Sequence, residues 1–440
     1  MFSNISRTLE NKNILILGFG REGKSTLSFL KKHVKCKSIT IADLNEIPGD
    51  YEEKIITGKD YQRGIEEYDV IIKSPGIVYE NPTSDIVRKT TSQTTLFLSE
   101  FRDRTIGITG TKGKSTTTTL IHHILSSCGV NAILGGNIGI PPLDIAENMD
   151  KDSVAVLEMS CHQLEYEIFS PHIAVILNLY EDHLDHYITR DNYVMAKRNI
   201  YKNQVDTDLF ICNSECEFEI EEARARVVTV GNGAHASLGE HCFSYNNQKI
   251  EIEEGKGGLF GAHNLFNIAT AFSVASIFNI SVSDFLKALD SYRPLPHRLE
   301  FVKRINDVDF YDDSISTVPQ TTIRAVSTFD NVSTVIIGGM DRGIDYTELV
   351  DFFKSNPIDN IILMYESGKR ISHLFDKASI KYRYVETLEM AVELAVRVSP
   401  PNTRCIMSPA SASYGDFKNF EHRGEMFSKY LDKYRDLKTN

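Results

Sequence analysis

The stretch Gly107-Ile-Thr-Gly-Thr-Lys-Gly-Lys-Ser-Thr116 carries chemistry that can be read from residue types alone. It follows an apolar run and opens a helical one. A loop so placed turns backbone N–H groups and a helix N-terminus toward an anion. Lys114 can reach terminal phosphates, and the Ser115 hydroxyl can ligate Mg²⁺. The spacing is unusual: the common pattern needs a glycine where Ile108 stands, and the upstream glycines here are Gly110 and Gly107. A variant phosphate loop is the reading; a Gly/Thr-rich surface turn is the competing one.

A second glycine pattern, Gly18-Phe-Gly20-Arg21-Glu22-Gly23, follows the apolar run Asn13–Leu17. Asp43 lies about 20 residues beyond it, the arrangement of a dinucleotide fold. Alone, this motif would suggest an NAD(P)-dependent oxidoreductase, or simply tight strand–helix packing. Asn264 and Asn267 fall on one face of a helix.

These motifs need elements to hold them. Asn13–Leu17, Ser38–Asp43 and Asp69–Lys73 read as strands, with a helix from about Lys24 to Lys32, which is a βαβ pattern. Near Phe97 a second unit begins: a strand Arg104–Thr109, a helix from Ser115 to about Cys128, and strands Val154–Glu158 and Ile173–Leu177. Met195–Tyr201 and His263–Phe278 read as helices. Prolines in Arg293-Pro-Leu-Pro-His-Arg298 mark a linker. Strands follow at Val308–Tyr311, Thr334–Ile337, Asn360–Met364 and Arg404–Met407. The expected fold is α/β in three domains: 1–96 Rossmann-like, 97–294 a P-loop-type ATPase sheet, and 295–440 again Rossmann-like.

Composition sets limits. The 440 residues suit about three domains of roughly 150, and 41% are hydrophobic. A net charge of −12 argues against nonspecific nucleic-acid binding, which needs a basic surface. No apolar run reaches the ~18 residues of a membrane span, and the polar first residues lack a signal-peptide core. Seven scattered cysteines suggest reduced thiols and a cytoplasmic protein.

The loop Gly110-Thr111-Lys112-Gly113-Lys114-Ser115-Thr116 resembles the ATP loop of the Mur ligases, and the resemblance continues in order along the chain. It runs through Gly135-Gly-Asn-Ile-Gly139, Glu158-Met-Ser-Cys-His-Gln-Leu164 and Asn178-Leu-Tyr-Glu-Asp-His183-Leu-Asp185. Ala196-Lys197-Arg-Asn-Ile-Tyr201, Gly261-Ala-His-Asn264-Leu-Phe-Asn267, Pro296-His-Arg298-Leu-Glu300 and Asp312-Asp313-Ser314 complete the set. Gly338-Gly-Met-Asp-Arg342-Gly343 and Ser408–Gly424 are similar to the glutamate-adding members of that family.

The resemblance implies an ATP-dependent ligase of peptidoglycan precursor synthesis. It would join glutamate to UDP-N-acetylmuramoyl-L-alanine through an acyl phosphate, as a monomer. Two Mg²⁺ ions are implied, one served by Ser115 and Glu158, the other by His183 and Lys197. A plain ammonium cannot bind Mg²⁺; carbamylation would make Lys197 an oxygen ligand, and that reaction needs the neutral amine. Asn264 and Asn267 would meet adenine, and Arg298 and Asp313 would hold ATP from the third domain. Gly18, Gly20, Arg21, Glu22, Asp43, Ser74, Pro75 and Gly76 would hold UDP, with Asn137 and Ser160 near the sugar nucleotide. The charged Arg21 and Glu22 depart from the small or apolar residues expected in that turn. Thr317, Arg342, Ser413 and Phe420 would receive glutamate; Arg342 is suited to bidentate pairing with a carboxylate. Where D-glutamate enzymes carry Lys-Ala-Thr after Asp-Ser, this chain has Ile315-Ser316-Thr317. That variant also resembles a smaller branch adding L-glutamate, so D-glutamate is the default and L-glutamate the alternative. An oxidoreductase would leave Lys114, Glu158 and Lys197 without a task; a non-catalytic nucleotide sensor would not need those metal ligands.

Overall fold

The computed structural model describes residues 2–79, 82–180, 187, 189–216, 223–329 and 331–434. Its strands form three sheets. The first holds β1 (Asn13–Leu17), β2 (Ser38–Asp43), β3 (Lys54–Thr57), β4 (Val70–Lys73) and β5 (Thr90–Thr91) in the order β3-β2-β1-β4-β5. Every pairing is parallel. Such strands are covered on both faces, which is why β1 and β4 read as continuous apolar runs.

The second sheet has β6 (Thr105–Thr109), β7 (Ala132–Gly136), β8 (Val154–Glu158), β9 (Ile173–Ile176), β10 (Leu209–Asn213), β11 (Arg226–Gly231), β12 (Ala236–Leu238), β13 (Cys242–Tyr245) and β14 (Gln248–Glu251). Its order is β14-β13-β12-β11-β10-β9-β6-β8-β7. The pairings are parallel through β12, and β13 and β14 close the edge as an antiparallel hairpin. Asn246 and Asn247 make the tight turn with φ of +49° and +63°, the left-handed backbone that two-residue hairpins require.

The third sheet holds β15 (Glu300–Ile305), β16 (Val308–Asp312), β17 (Val332–Gly338), β18 (Asn360–Met364), β19 (Arg383–Val385) and β20 (Thr403–Met407), ordered β15-β16-β20-β17-β18-β19. Only β15 runs antiparallel to its neighbour.

The chain divides into two compact units: Met1–Glu253 with Ala262–Tyr292, and Glu254–Gly261 with Arg293–Asn440. The first two sheets share one core, in which Ile14 and Ile72 of the first join Leu157 and Ile176 of the second. No helix among the described residues is long and apolar enough to cross a membrane.

Two helices begin earlier than their apolar periodicity indicates. One runs Arg21–His33, its charged first turn following directly on Gly20. The other runs Arg190–Lys202, capped by Thr189, whose hydroxyl accepts from Asn192 N–H. A polar first turn looks like loop until its cap is seen.

Candidate functional site

β6 ends at Thr109, and the loop turns through Gly110 (φ +158°) and Gly113 (φ +81°) into the helix Lys114–Ser127. A Cβ at Gly113 would lie 3.0 Å from Asn267 Oδ1, so loop and asparagine pack closely. Asn267 Nδ2 donates to Asn264 Oδ1 at 3.0 Å. Lys114 Nζ donates to Gly110 O (2.9 Å) and Thr111 O (3.0 Å), curled over the loop. Ser115 and Thr116 are half-buried in the first helical turn.

The loop is pinned from outside. Asn178 Oδ1 accepts from Lys112 N–H at 2.7 Å, and its Nδ2 donates to Lys112 O at 2.9 Å. Asn178 O also accepts from Thr111 N–H at 2.9 Å. The Thr111 hydroxyl bonds the Tyr193 hydroxyl at 2.9 Å. Neither Asn178 nor Tyr193 was singled out from sequence as a site residue, although Asn178 opens one of the quoted motifs.

Glu158 ends β8 and is 2% exposed. Its Oε1 accepts from Asn137 Nδ2 at 2.6 Å, while Oε2 is buried with no hydrogen-bond partner among the described residues. Such an oxygen suits a cation. Lys197, 1% exposed, donates from Nζ to Gly110 O at 2.9 Å and Thr109 Oγ1 at 3.3 Å, and lies 4.8 Å from the Tyr193 ring centre. His183 lies outside the described residues.

A cavity of about 300 Å³ joins these parts: Pro75, Gly76, Lys114, Asn137, Ser160 and Lys197 line it, together with Cys161, His162 and Tyr193. A larger, open depression of about 820 Å³ is lined by Asn13, Ser38 and Lys54, at the amino ends of strands in the first sheet. Parallel sheets bind ligands at their carboxyl ends, where the loops described here begin, so the smaller cavity is the candidate site.

On the side of the first sheet, Gly18 adopts φ +94°, and a Cβ there would sit 2.8 Å from Ser74 Cβ. Ser74 Oγ donates to Gly18 O at 2.9 Å, closing the turn against the Ser74–Gly76 wall. Gly20 leads into the helix as its N-cap. Asp43 Oδ2 accepts from Phe19 N–H at 2.7 Å, holding the turn from β2. Arg21 and Glu22 reach across to the second sheet: Arg21 Nη1 donates to Gly139 O at 2.5 Å, and Glu22 Oε1 accepts from Gln163 Nε2 at 3.0 Å. Burial raises the Glu22 carboxyl above the usual range, opposed by Gln163, Arg21 and Lys73.

In the second unit, Asp313 follows β16 and is buried. Its Oδ2 accepts from the Ser408 hydroxyl at 2.7 Å and Oδ1 from Leu299 N–H at 3.3 Å. Burial pushes it up to about 6, against the pull of Ser316, Ser408 and the Arg298 charge. Arg298 Nε is buried and donates to nothing among the described residues. Thr317 is half-buried in the loop after β16, exposed Arg342 follows β17, and buried Ser413 follows β20. Phe420 opens the helix Phe420–Leu431.

Arg423 of that helix is fully buried and escaped the sequence reading. Its Nη2 donates to Ser314 O at 2.8 Å, and its Nη1 to Ser411 O at 3.0 Å and Ala412 O at 3.2 Å. It thereby ties together the loops that carry Thr317 and Ser413.

The site is thus a glycine-containing strand–loop–helix turn beside a buried carboxylate and a buried lysine, in a parallel α/β framework. Residues 108–275 match the family described as the Mur ligase middle domain. The UDP-N-acetylmuramoylalanine--D-glutamate ligase of Listeria monocytogenes serovar 1/2a is 33% identical over 451 residues, covering 97% of each chain. The ligase of the same name from Geotalea uraniireducens is 32% identical, covering 96% of this chain and 98% of its own. Among solved structures, UDP-N-acetylmuramate-alanine ligase MurC of Thermotoga maritima superimposes with a TM-score of 0.59 at 18% identity, covering 96% of this chain and 99% of that one. MurF of Acinetobacter baumannii gives 0.60 at 17%, covering 97% and 92%; these two likenesses concern the fold. The chain belongs to the Mur ligase family.

Proposed function

We propose that this chain joins D-glutamate to UDP-N-acetylmuramoyl-L-alanine with hydrolysis of ATP to ADP and phosphate, in peptidoglycan precursor synthesis. The observation that carries the reading is the cavity where Lys114 and Lys197 meet Asn137, Ser160 and the Pro75–Gly76 wall. Near-full-length relatives named for that reaction support it.

A carboxylate does not react with an amine until its oxygen is made a leaving group. The terminal phosphoryl of ATP passes to the acceptor carboxylate, giving an acyl phosphate and ADP. The amine of glutamate then attacks the carbonyl, phosphate leaves, and the amine gives up a proton. Positioning and charge neutralisation supply most of the rate for such transfers. Lys114 neutralises the transferred phosphoryl from the loop Gly110–Thr116. Asn264 and Asn267 take the adenine, and Arg298 and Asp313 are the further ATP-binding residues. Gly18, Gly20, Asp43 and the Ser74–Gly76 wall hold the UDP end, and Asn137 and Ser160 the sugar nucleotide. Thr317, Arg342, Ser413 and Phe420 receive glutamate.

Ser115 and Glu158 fit one Mg²⁺, since Glu158 Oε2 lacks any other partner among the described residues. Bound there, Mg²⁺ would neutralise charge on the phosphoryl oxygens. Lys197, carbamylated, and His183 would serve a second ion; a carbamate nitrogen keeps one N–H for Gly110 O. The enzyme would act as a monomer in the cytoplasm.

Ile315, standing where the D-glutamate pattern has lysine, favours a second reading, addition of L-glutamate. Phosphate release with ATP, Mg²⁺ and UDP-N-acetylmuramoyl-L-alanine, with each glutamate enantiomer in turn and the product mass recorded, tests both. Turnover with D-glutamate alone is expected. Turnover with L-glutamate alone would transfer the protein to the other branch, and turnover with neither would refute the acceptor assignment.

A further inference from the structure

A turn that cradles a diphosphate needs only its backbone, yet this one carries Arg21 and Glu22, whose side chains both leave for the second sheet. The Glu22 contact continues inward. Gln163, 3% exposed, gives its amide nitrogen to Glu22 and its oxygen to Ser160. Gln163 Oε1 accepts from Ser160 N–H at 3.0 Å and from the Ser160 hydroxyl at 3.2 Å; Ser160 Oγ in turn accepts from Gln163 N–H at 3.3 Å. This is a capping box at the start of the short helix Cys161–Leu164. Its glutamine is oriented by Glu22, in the first turn of the helix Arg21–His33.

Orientation is the physical point. An ionised carboxylate only accepts hydrogen bonds. It therefore admits one rotamer of the Gln163 amide, nitrogen toward Glu22 and oxygen toward Ser160. The Ser160 proton is then committed to Gln163, and Ser160 offers the cavity a lone pair rather than a proton. Burial raises the Glu22 carboxyl above the usual range, and the Gln163 hydrogen bond and the charges of Arg21 and Lys73 oppose that shift.

We propose that Glu22, acting through Gln163, fixes Ser160 as a hydrogen-bond acceptor and so positions an amide N–H of the UDP-linked acceptor substrate in the cavity. This rests on the substrate reading given above. Glu22 is a positioning residue: it orients the group that meets the substrate.

Three variants test the relay: Glu22→Gln, Gln163→Glu, and the two combined. Glu22→Gln can donate as well as accept, so the Gln163 amide is no longer held to one rotamer. Gln163→Glu sets two carboxylates against each other. The double variant reverses the donor while keeping the chain: an amide at position 22 donates to a carboxylate at 163, which still accepts both Ser160 protons. The expected KM for UDP-N-acetylmuramoyl-L-alanine rises about tenfold in Gln163→Glu and several-fold in Glu22→Gln, from loss of one buried polar contact. The KM for ATP stays within about twofold, and the double variant returns to within about threefold of wild type. A double variant no better than the worse single, or a KM for ATP rising in parallel, would overturn the relay. Calorimetry of wild type with the acceptor separates the two levels of inference: no binding there would overturn the substrate reading and the relay with it.

Discussion

Asn178→Ala isolates one contact that the geometry makes decisive for ATP. The side chain closes a two-bond ring with the Lys112 peptide, accepting its N–H at 2.7 Å and donating to its carbonyl at 2.9 Å. Alanine removes both bonds and leaves the backbone bond from Thr111 N–H to residue 178 intact. Each bond contributes a net of roughly 0.5–1.5 kcal/mol, so the loop loses about 1–3 kcal/mol of preorganisation. At about 1.4 kcal/mol per decade, the Kd for ATP should rise about 5- to 150-fold. Calorimetric titration of ATP measures it, and titration of the UDP-linked acceptor is the control, expected to stay within about twofold. Asn178→Asp should not rescue: it keeps the acceptor for Lys112 N–H but sets a carboxylate oxygen against Lys112 O. An ATP Kd within twofold of wild type in Asn178→Ala would refute the claim that this side chain holds the loop.

Other perturbations have equally definite outcomes. Lys197→Ala should abolish phosphate release, and added bicarbonate should not restore it, because no amine remains to take up CO₂; full activity would remove Lys197 from the metal site. Arg342→Ala should raise the KM for glutamate about tenfold or more with the KM for ATP unchanged, and Arg342→Lys should recover part of the loss, since a point charge replaces a fork; an unchanged glutamate KM would refute the pairing. Glu167 is buried, with Oε2 accepting from Thr95 Oγ1 and Oε1 from Ile168 and Phe169 N–H, and burial lifts its carboxyl to about 7. The folded state therefore holds this proton more tightly than the unfolded chain. Its contribution to stability is complete below the unfolded value near 4.5 and is lost as pH rises through 7. Glu167→Gln removes that loss, so in urea titrations the variant should gain about 1–3 kcal/mol on wild type between pH 5 and pH 8. An equal difference at both pH values would refute it.

What could be read from the sequence follows how local each feature is. The phosphate loop is one contiguous string whose strand–loop–helix setting is written in its flanks, and β1, β4 and β8 are apolar runs of strand length. The far edge of the second sheet was missed because β12, β13 and β14 are short and partly exposed, with little apolar signal. Lys197 looks like any solvated helix lysine in isolation; only its neighbours in the family pattern mark it, and only the fold buries it against Thr109 and Gly110. The Asn178–Lys112 and Glu22–Gln163 pairs join residues distant in sequence, so no spacing rule could have paired them, whereas the Ser160–Gln163 capping box is a local pair. Glu22 shows the difference best: as a residue of a glycine turn it was an anomaly, and as the acceptor of Gln163 it has a partner.

Arg423 extends that reasoning to the residue that departs most from the D-glutamate pattern. A guanidinium with no exposure is costly to bury. Burial lowers its pKa to about 10, which still leaves it charged at neutral pH. Three carbonyls, Ser314, Ser411 and Ala412, absorb the charge. Gly339 stands where a Cβ would be 2.4 Å from Ala412 O and 2.9 Å from Arg423 Nη1, so the loop after β17 must also pass close by. Loops from β16, β17 and β20 therefore converge on one cation. One of its three carbonyls belongs to the residue immediately before Ile315. The charge that lysine would bring at 315 is thus absent from that side chain, while a buried positive group remains fixed to the adjoining peptide. On the proposed reading, glutamate docking at these loops meets the exposed fork of Arg342, while Asp312 and Asp313 partly offset the charge of Arg423.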